Sequence, residues 1–86
     1  MAQFNLGAKY HHGDGVKQDF RKAKTWYEKS AEQGDAFAQY NLGVMYRDGE
    51  GVKPDDGKAK ELFGRACGNG STLGCESYRD FNDCGL

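Results

Sequence analysis

The chain repeats its own sequence with a period of 36 residues. The stretch GDGVKQDFRKAK begins at Gly13, and the closely related GEGVKPDDGKAK begins at Gly49. An ungapped alignment of residues 2–34 with residues 38–70 gives 15 identities in 33 positions. Repeats of this length are typical of proteins in which each unit packs only against its neighbours. The pattern continues imperfectly after residue 70, so the sequence predicts two whole units and part of a third.

Each unit contains two segments with helical periodicity. The second segment of the first unit places small and aromatic residues on one helical face: Ala23, Trp26, Tyr27, Ser30 and Ala31. Asp19 and Asp55 precede these second segments, where a carboxylate caps free backbone N–H groups. Gly34 and Gly70 follow them, where a left-handed backbone ends a helix. The pattern predicts five helices and no strand.

The turn between the two helices of a unit has the form Gly-x-Gly-Val. We expect Val16 or Val52 to plug it as a buried apolar residue. Gly43 lies on the packing side of its helix and is small enough to let a neighbouring helix come close. One helix pair cannot bury its apolar stripe alone, so the units are expected to stack.

Composition excludes several classes of function. The formal net charge is −1, which offers no basic stripe for nucleic acid. No apolar run approaches the roughly 20 residues that a membrane span requires. The N-terminus has no signal-peptide pattern, and Met1 leads directly into the first repeat. We therefore expect the chain to be a piece of a longer protein that could carry a signal and further repeats.

The run from Ala36 to Ala59 has the pattern A-x-A-Q-x-N-L-G-x-x-Y-x-x-G-x-G-V-x-x-D-x-x-K-A. It resembles the Sel-one-like repeat (SLR), a relative of the tetratricopeptide repeat. The resemblance implies an all-α solenoid of antiparallel helix pairs, with repeats at 1–35 and 36–71 and a capping helix within 72–86. It also implies an adaptor that binds a protein or peptide segment on the concave face of its first helices.

The binding residues implied by this resemblance come from the register of the related tetratricopeptide fold. They are Phe4, Asn5, Ala8 and His11 in the first unit and Tyr40, Asn41, Val44 and Arg47 in the second, beside Glu76, Ser77 and Asp80 of the capping helix. The alternative role for Asn5 and Asn41 is structural, bonding backbone between stacked units. The adjacent His11 and His12 are expected at the surface near a helix end, because neighbouring helix positions diverge and no third metal ligand recurs nearby.

Three cysteines lie towards the C-terminus. Cys67 and Cys75 are separated by seven residues that include Gly68-Asn-Gly70, which lets the chain reverse. This spacing is similar to the disulfide spacing of secreted, cysteine-rich SLR proteins, and it implies a bond between Cys67 and Cys75 in a secreted or periplasmic protein. Two buried thiols in a cytoplasmic protein are the alternative, and zinc would need two more ligands. Cys84 is left as a free thiol or an intermolecular partner.

Signs of catalysis are weak. The serines are not followed three residues later by lysine, as β-lactam chemistry would require. The stretch from Gly51 to Lys58 has the wrong spacing for a phosphate-binding loop. We therefore predict a non-enzymatic binding module without metal or cofactor. The alternatives are a weak β-lactam-binding or β-lactam-hydrolysing secreted protein and a purely structural part of a longer solenoid. Self-association through exposed repeat ends also stays open.

Overall fold

The computed structural model describes the backbone of residues 2–83 and the side chains of residues 6–80. This part of the chain forms five α-helices and no strand, as predicted. The helices are α1 (Ala2–His12), α2 (Phe20–Glu32), α3 (Ala36–Asp48), α4 (Asp56–Gly68) and α5 (Thr72–Asp83). Here α1 and α3 are the first helices of the two whole repeats, and α2 and α4 are the second helices.

Capping residues set the helix boundaries at the predicted places. The side chain of Asp19 accepts a hydrogen bond from the backbone N–H of Lys22, and Asp55 accepts one from Lys58. Gly34 and Gly70 have positive φ angles of 87° and 99°. Only glycine adopts this backbone conformation without strain, so both residues end a second helix and turn the chain into the next first helix.

Each helix packs against the next one in the chain, and the principal extents of the molecule are 39 × 24 × 17 Å. Two apolar clusters run along the stack, and Tyr46 packs against both of them. The buried apolar residues come from α2, α3 and α4: Ala23, Tyr27, Ala31, Ala38, Leu42, Met45, Ala59, Leu62, Phe63 and Ala66. The larger cluster contains buried residues of both repeats, as expected for units that cannot bury their stripes alone.

Glycines in the first helices make room for the aromatic rings of the second helices. A Cβ atom added to Gly7 would lie 2.6 Å from the ring of Tyr27, and one added to Gly43 would lie 2.6 Å from the ring of Phe63. These distances are too short for real atoms, so a side chain at either position would separate the two helices. The close approach expected at Gly43 is confirmed, and the equivalent pair exists in the first repeat.

Two expectations about individual side chains are wrong. Val16 is 39% exposed and does not plug its turn, although its counterpart Val52 is half-buried. Trp26 was predicted to lie on the buried face with Tyr27, but it is only half-buried. The reason is its position at the outer edge of the stack, where the described residues include no further helix to cover it.

A junction is the place where the second helix of one repeat meets the first helix of the next, α2 with α3 and α4 with α5. Equivalent positions of the two junctions are joined by different kinds of bond. Cys67 and Cys75 form a disulfide that joins the end of α4 to the start of α5, with their Cα atoms 4.5 Å apart. Thirty-six residues earlier, the same positions hold Ala31 and Gln39. There the side-chain amide of Gln39 donates a hydrogen bond of 3.1 Å to the carbonyl of Ala31. The third cysteine, Cys84, was expected to be a free thiol or an intermolecular partner, and it lies outside the described residues.

Candidate functional site

The predicted binding residues occupy the first helices α1 and α3, and Glu76, Ser77 and Asp80 lie in α5. Phe4 and Asn5 lie outside the residues whose side chains are described. Ala8, Tyr40, Asn41 and Val44 are half-buried and Arg47 is exposed, so these five side chains are at least partly open to solvent.

Three of these side chains are placed by one buried ring. Phe63 of α4 is fully buried, and Tyr40 packs on it with the ring centroids 5.5 Å apart. The guanidinium carbon of Arg47 lies 6.0 Å from the same ring centroid, within the range of a cation–π contact. Val44 packs against the cluster formed by Phe63 and Ala59. Tyr40, Val44 and Arg47 therefore form a row along α3 with Phe63 beneath it.

Arg47 already has an acidic neighbour. Its Nε atom donates to Asp48 Oδ1 at 3.0 Å, and a second nitrogen donates to Oδ2 at 3.4 Å. This hydrogen bonding to Asp48 raises the pKa of the Arg47 guanidinium above its ordinary value. Both side chains are exposed by more than 40%, and ion pairs of that kind contribute at most about 1 kcal/mol. Another carboxylate can therefore replace Asp48 at little cost.

His11 differs from its counterpart Arg47 because both of its ring nitrogens have partners within the protein. Nε2 lies 3.1 Å from Glu50 Oε1, in the turn of the second repeat, and Nδ1 lies 3.4 Å from the hydroxyl of Tyr27. The histidine side chain is only 13% exposed. The expectation of a surface histidine is wrong at this position, whereas His12 is exposed. His11 links the first repeat to the second.

Glu50, His11 and Tyr27 stand in the order of an acid, a base and a hydroxyl group, as in a nucleophilic triad. The side chain of Tyr27 is, however, fully buried. Burial, and to a lesser extent the charge of Glu50, raise the pKa of Tyr27 to about 12. A buried hydroxyl with a raised pKa is a poor nucleophile, so this group of side chains joins the repeats rather than supporting attack on a substrate.

Sequence reasoning missed two exposed apolar residues of the first helices. Phe37 is 62% exposed and Leu73 is 53% exposed, the highest values among the large hydrophobic residues described. They are 36 residues apart, and both occupy the second position of a first helix. The repeat itself could have revealed them, because two apolar side chains recur there outside the buried stripe. Phe63 was also missed, although its register with the buried Tyr27 was visible in the alignment.

Among the described residues, no three His, Cys, Asp or Glu side chains are grouped as metal ligands. Across residues 2–83, every helix is too short or too polar to cross a bilayer.

The helix pairs and their glycine–aromatic contacts define a tetratricopeptide-like α-solenoid. The Sel1 repeat model matches residues 1–35 and 36–71, and the chain therefore belongs to the Sel1 repeat family. Sel1 repeats are generally protein-interaction scaffolds rather than enzymes. A search of curated proteins found no match.

Solved structures similar to this chain include proteins of three bacteria. A protective antigen of uropathogenic Escherichia coli with an SLR fold is 43% identical, with a TM-score of 0.86 over 88% of this chain and 16% of its own. A Sel1 repeat protein of Oxalobacter formigenes is 38% identical, with a TM-score of 0.88 over 92% of this chain and 59% of its own. Cysteine-rich protein B of Helicobacter pylori is 34% identical, with a TM-score of 0.81 over 86% of this chain and 56% of its own. This chain thus spans between about a sixth and three fifths of the length of these proteins.

Proposed function

We propose that this chain binds a peptide or protein segment on the concave face of its first helices, with Tyr40, Val44 and Arg47 at the centre of the site. The observation that supports this most directly is the buried ring of Phe63, which holds Tyr40 and Arg47 on the same side of α3. A partner therefore meets side chains whose conformations are already restricted. Such preorganisation reduces the entropy lost on binding.

The chemistry of this row suits a segment with an acidic group. Tyr40 offers apolar area with a polar tip, and tyrosine and arginine are the residue types that most often dominate binding energy. Arg47 would exchange the carboxylate of Asp48 for a side-chain or C-terminal carboxylate of the partner. The half-buried Asn41 follows Tyr40 in α3 and would bond the partner's backbone.

Other predicted residues contribute around this centre. Ala8 lies at the register of Val44 and Asn5 at that of Asn41, so the first repeat would extend the same surface along the groove, together with Phe4. His11 would act from the edge, since its nitrogens are engaged by Glu50 and Tyr27.

The disulfide between Cys67 and Cys75 supports an oxidising compartment, either extracellular or periplasmic. The similarity to a cysteine-rich protein of Helicobacter pylori is compatible with this location.

The test is a peptide array followed by calorimetry on the best segment. Tyr40→Ala and Arg47→Ala should each weaken binding by about 2 kcal/mol or more, because truncating a central anchor commonly has an effect of this size. Arg21→Ala is the matched control, since Arg21 is exposed on α2 and makes no ion pair among the described residues. If Arg21→Ala weakened binding and the two α3 variants did not, the surface proposed here would be wrong.

A further inference from the structure

A small cleft opens between the two second helices. Both α2 and α4 pack on α3, so α3 forms the base of the cleft and the two second helices form its walls. We call it the α2/α4 cleft. Its volume is about 140 Å³, and it lies within the stack, between the first and the second repeat.

The inner part of the α2/α4 cleft is apolar. Ala31, Leu42 and Leu62 line it, one from each helix, and their exposed fractions are only 6%, 3% and 4%. The half-buried Tyr46 lies beside them. A cavity on the order of 150 Å³ in a protein core holds a molecule of the size of benzene. The inner part of the cleft therefore has the size of one aliphatic side chain.

The rim of the cleft carries charges of opposite sign on opposite walls. Glu28 and Glu32 stand on α2, and Lys58 and Arg65 stand on α4. Glu28 is paired within its own helix, because Lys24 Nζ lies 3.1 Å from its Oε2 atom. None of the ion pairs among the described residues involves Glu32, Lys58 or Arg65. The cleft thus has one free carboxylate on its first wall and two free cations on its second.

These charges select a ligand with both an anionic and a cationic group. A ligand with a carboxylate alone would face the like charge of Glu32, and one with an ammonium group alone would face Lys58 and Arg65. A zwitterion has a partner on each wall. Arg65 is the better partner for the ligand's carboxylate, because a guanidinium group can form two parallel hydrogen bonds with it.

We propose that the α2/α4 cleft binds a free aliphatic α-amino acid such as leucine. The side chain of the ligand lies between Leu42 and Leu62. Its carboxylate binds Arg65, and its ammonium group binds Glu32. A free amino acid carries both charges next to one side chain, whereas a peptide separates them at its two ends. This site is distinct from the row on α3, and the proposal does not depend on the function proposed above.

The test is an NMR titration of the intact, isotope-labelled chain with L-leucine. Saturable shifts should appear for the amide signals of residues that line the cleft, and the signals of α5 should not move. Two capped derivatives separate the two charges of the ligand. L-leucinamide keeps the ammonium group and imitates a peptide N-terminus, and N-acetyl-L-leucine keeps the carboxylate and imitates a C-terminus. Each should bind about fivefold more weakly than leucine, or weaker still, because each loses a hydrogen bond between charged groups.

Variants then assign the two charges to their partners. Arg65→Gln should weaken leucine binding about fivefold or more without weakening that of leucinamide, which has no carboxylate to lose. Glu32→Gln should likewise weaken leucine binding without weakening that of N-acetyl-leucine. The matched controls are Arg21→Gln on α2 and Glu61→Gln on α4. Both residues are exposed and outside the ion pairs among the described residues, so these changes should alter leucine binding less than about twofold.

The proposal fails on any of three results. Shifts that are absent or do not saturate would mean that the cleft holds no amino acid. Equal binding of leucine and one of its capped derivatives would make the end of a peptide the occupant. Weaker binding in an Arg47→Gln variant, with none in Arg65→Gln, would place the ligand on the row along α3 instead.

Discussion

The glycine–aromatic contact between α3 and α4 gives the sharpest test of the helix packing. The change is Gly43→Ala, with Gly57→Ala as its matched control. At Gly43 the new methyl group would lie 2.6 and 2.7 Å from two ring carbons of Phe63, and this ring is fully buried beneath Tyr40 and Arg47. At Gly57 the nearest atom outside its chain neighbours is Asp55 Oδ1 at 3.4 Å, which is an ordinary contact.

Two effects decide the magnitude. Replacing glycine by alanine within a helix stabilises it by up to about 1 kcal/mol. Overpacking a close helix contact destabilises a protein by about 1–3 kcal/mol. Both effects act at Gly43. Because two contacts there fall well below 3.0 Å, we take the upper part of the overpacking range, about 2–3 kcal/mol, and after the helix gain of about 1 kcal/mol we expect a net loss of about 1–2 kcal/mol. Only the first acts at Gly57, where we expect no loss or a small gain, reduced because the residue lies in the first turn of α4.

Thermal unfolding followed by circular dichroism measures the difference. For a chain of this size, 1 kcal/mol corresponds to roughly 4–8 °C in the melting temperature. The Gly43→Ala variant should therefore melt about 4–16 °C lower than the parent protein. Adding Phe63→Leu should recover part of the loss, because the smaller side chain leaves room for the methyl group. Equal melting temperatures for the Gly43 and Gly57 variants, or no coupling between Gly43 and Phe63, would refute this account of the packing.

Two further predictions follow from the junctions and the buried tyrosine. The double variant Ala31→Cys/Gln39→Cys should form a second disulfide in air, detectable by non-reducing peptide mapping with Cys67–Cys75 as the internal reference. Reduction breaks both bonds, so the loss of unfolding free energy on reduction should be about 2–3 kcal/mol larger in the variant than in the parent protein. Two free thiols at 31 and 39 would show that the junctions are not equivalent. Folding raises the pKa of Tyr27 to about 12, so the contribution of its neutral form to stability is complete below the ordinary tyrosine pKa of about 10 and is lost as the pH rises through 12. Denaturation midpoints should therefore fall between pH 10 and pH 12. They should fall less in the Tyr27→Phe variant, which has no phenol to ionise.

The sequence was sufficient for the architecture because the repeat supplies each signal twice. Asp19 and Asp55 mark two helix starts, and Gly34 and Gly70 mark two helix ends, so a chance occurrence of either pattern was excluded. Local chemistry decides such boundaries, and local chemistry is visible in a sequence. The same reasoning failed for Trp26, because its burial depends on whether a neighbouring unit covers it, which periodicity within one helix does not report.

The candidate site was less predictable for a related reason. His11 and Arg47 occupy the same register, yet the first is fixed between Tyr27 and Glu50 and the second lies exposed over Phe63. The difference comes from Glu50, which stands in the turn of the following repeat and meets His11 across 39 residues of sequence. The repeat register predicts which helix face a residue occupies. A contact with a residue distant in sequence, such as that of His11 with Glu50, decides whether its polar atoms remain available to bind a partner.

The junctions show how one position can meet the same structural need in two ways. Gln39 is 1% exposed, and besides bonding Ala31 its side-chain oxygen accepts a hydrogen bond of 2.9 Å from Asn69. It therefore ties the end of α4 to the junction between α2 and α3, so the first junction depends on the second repeat being folded. The disulfide at Cys67 and Cys75 closes the second junction by a covalent bond instead. Reduction should therefore loosen α5 first and leave the Gln39 junction in place, because that junction is held by hydrogen bonds that a reductant does not touch.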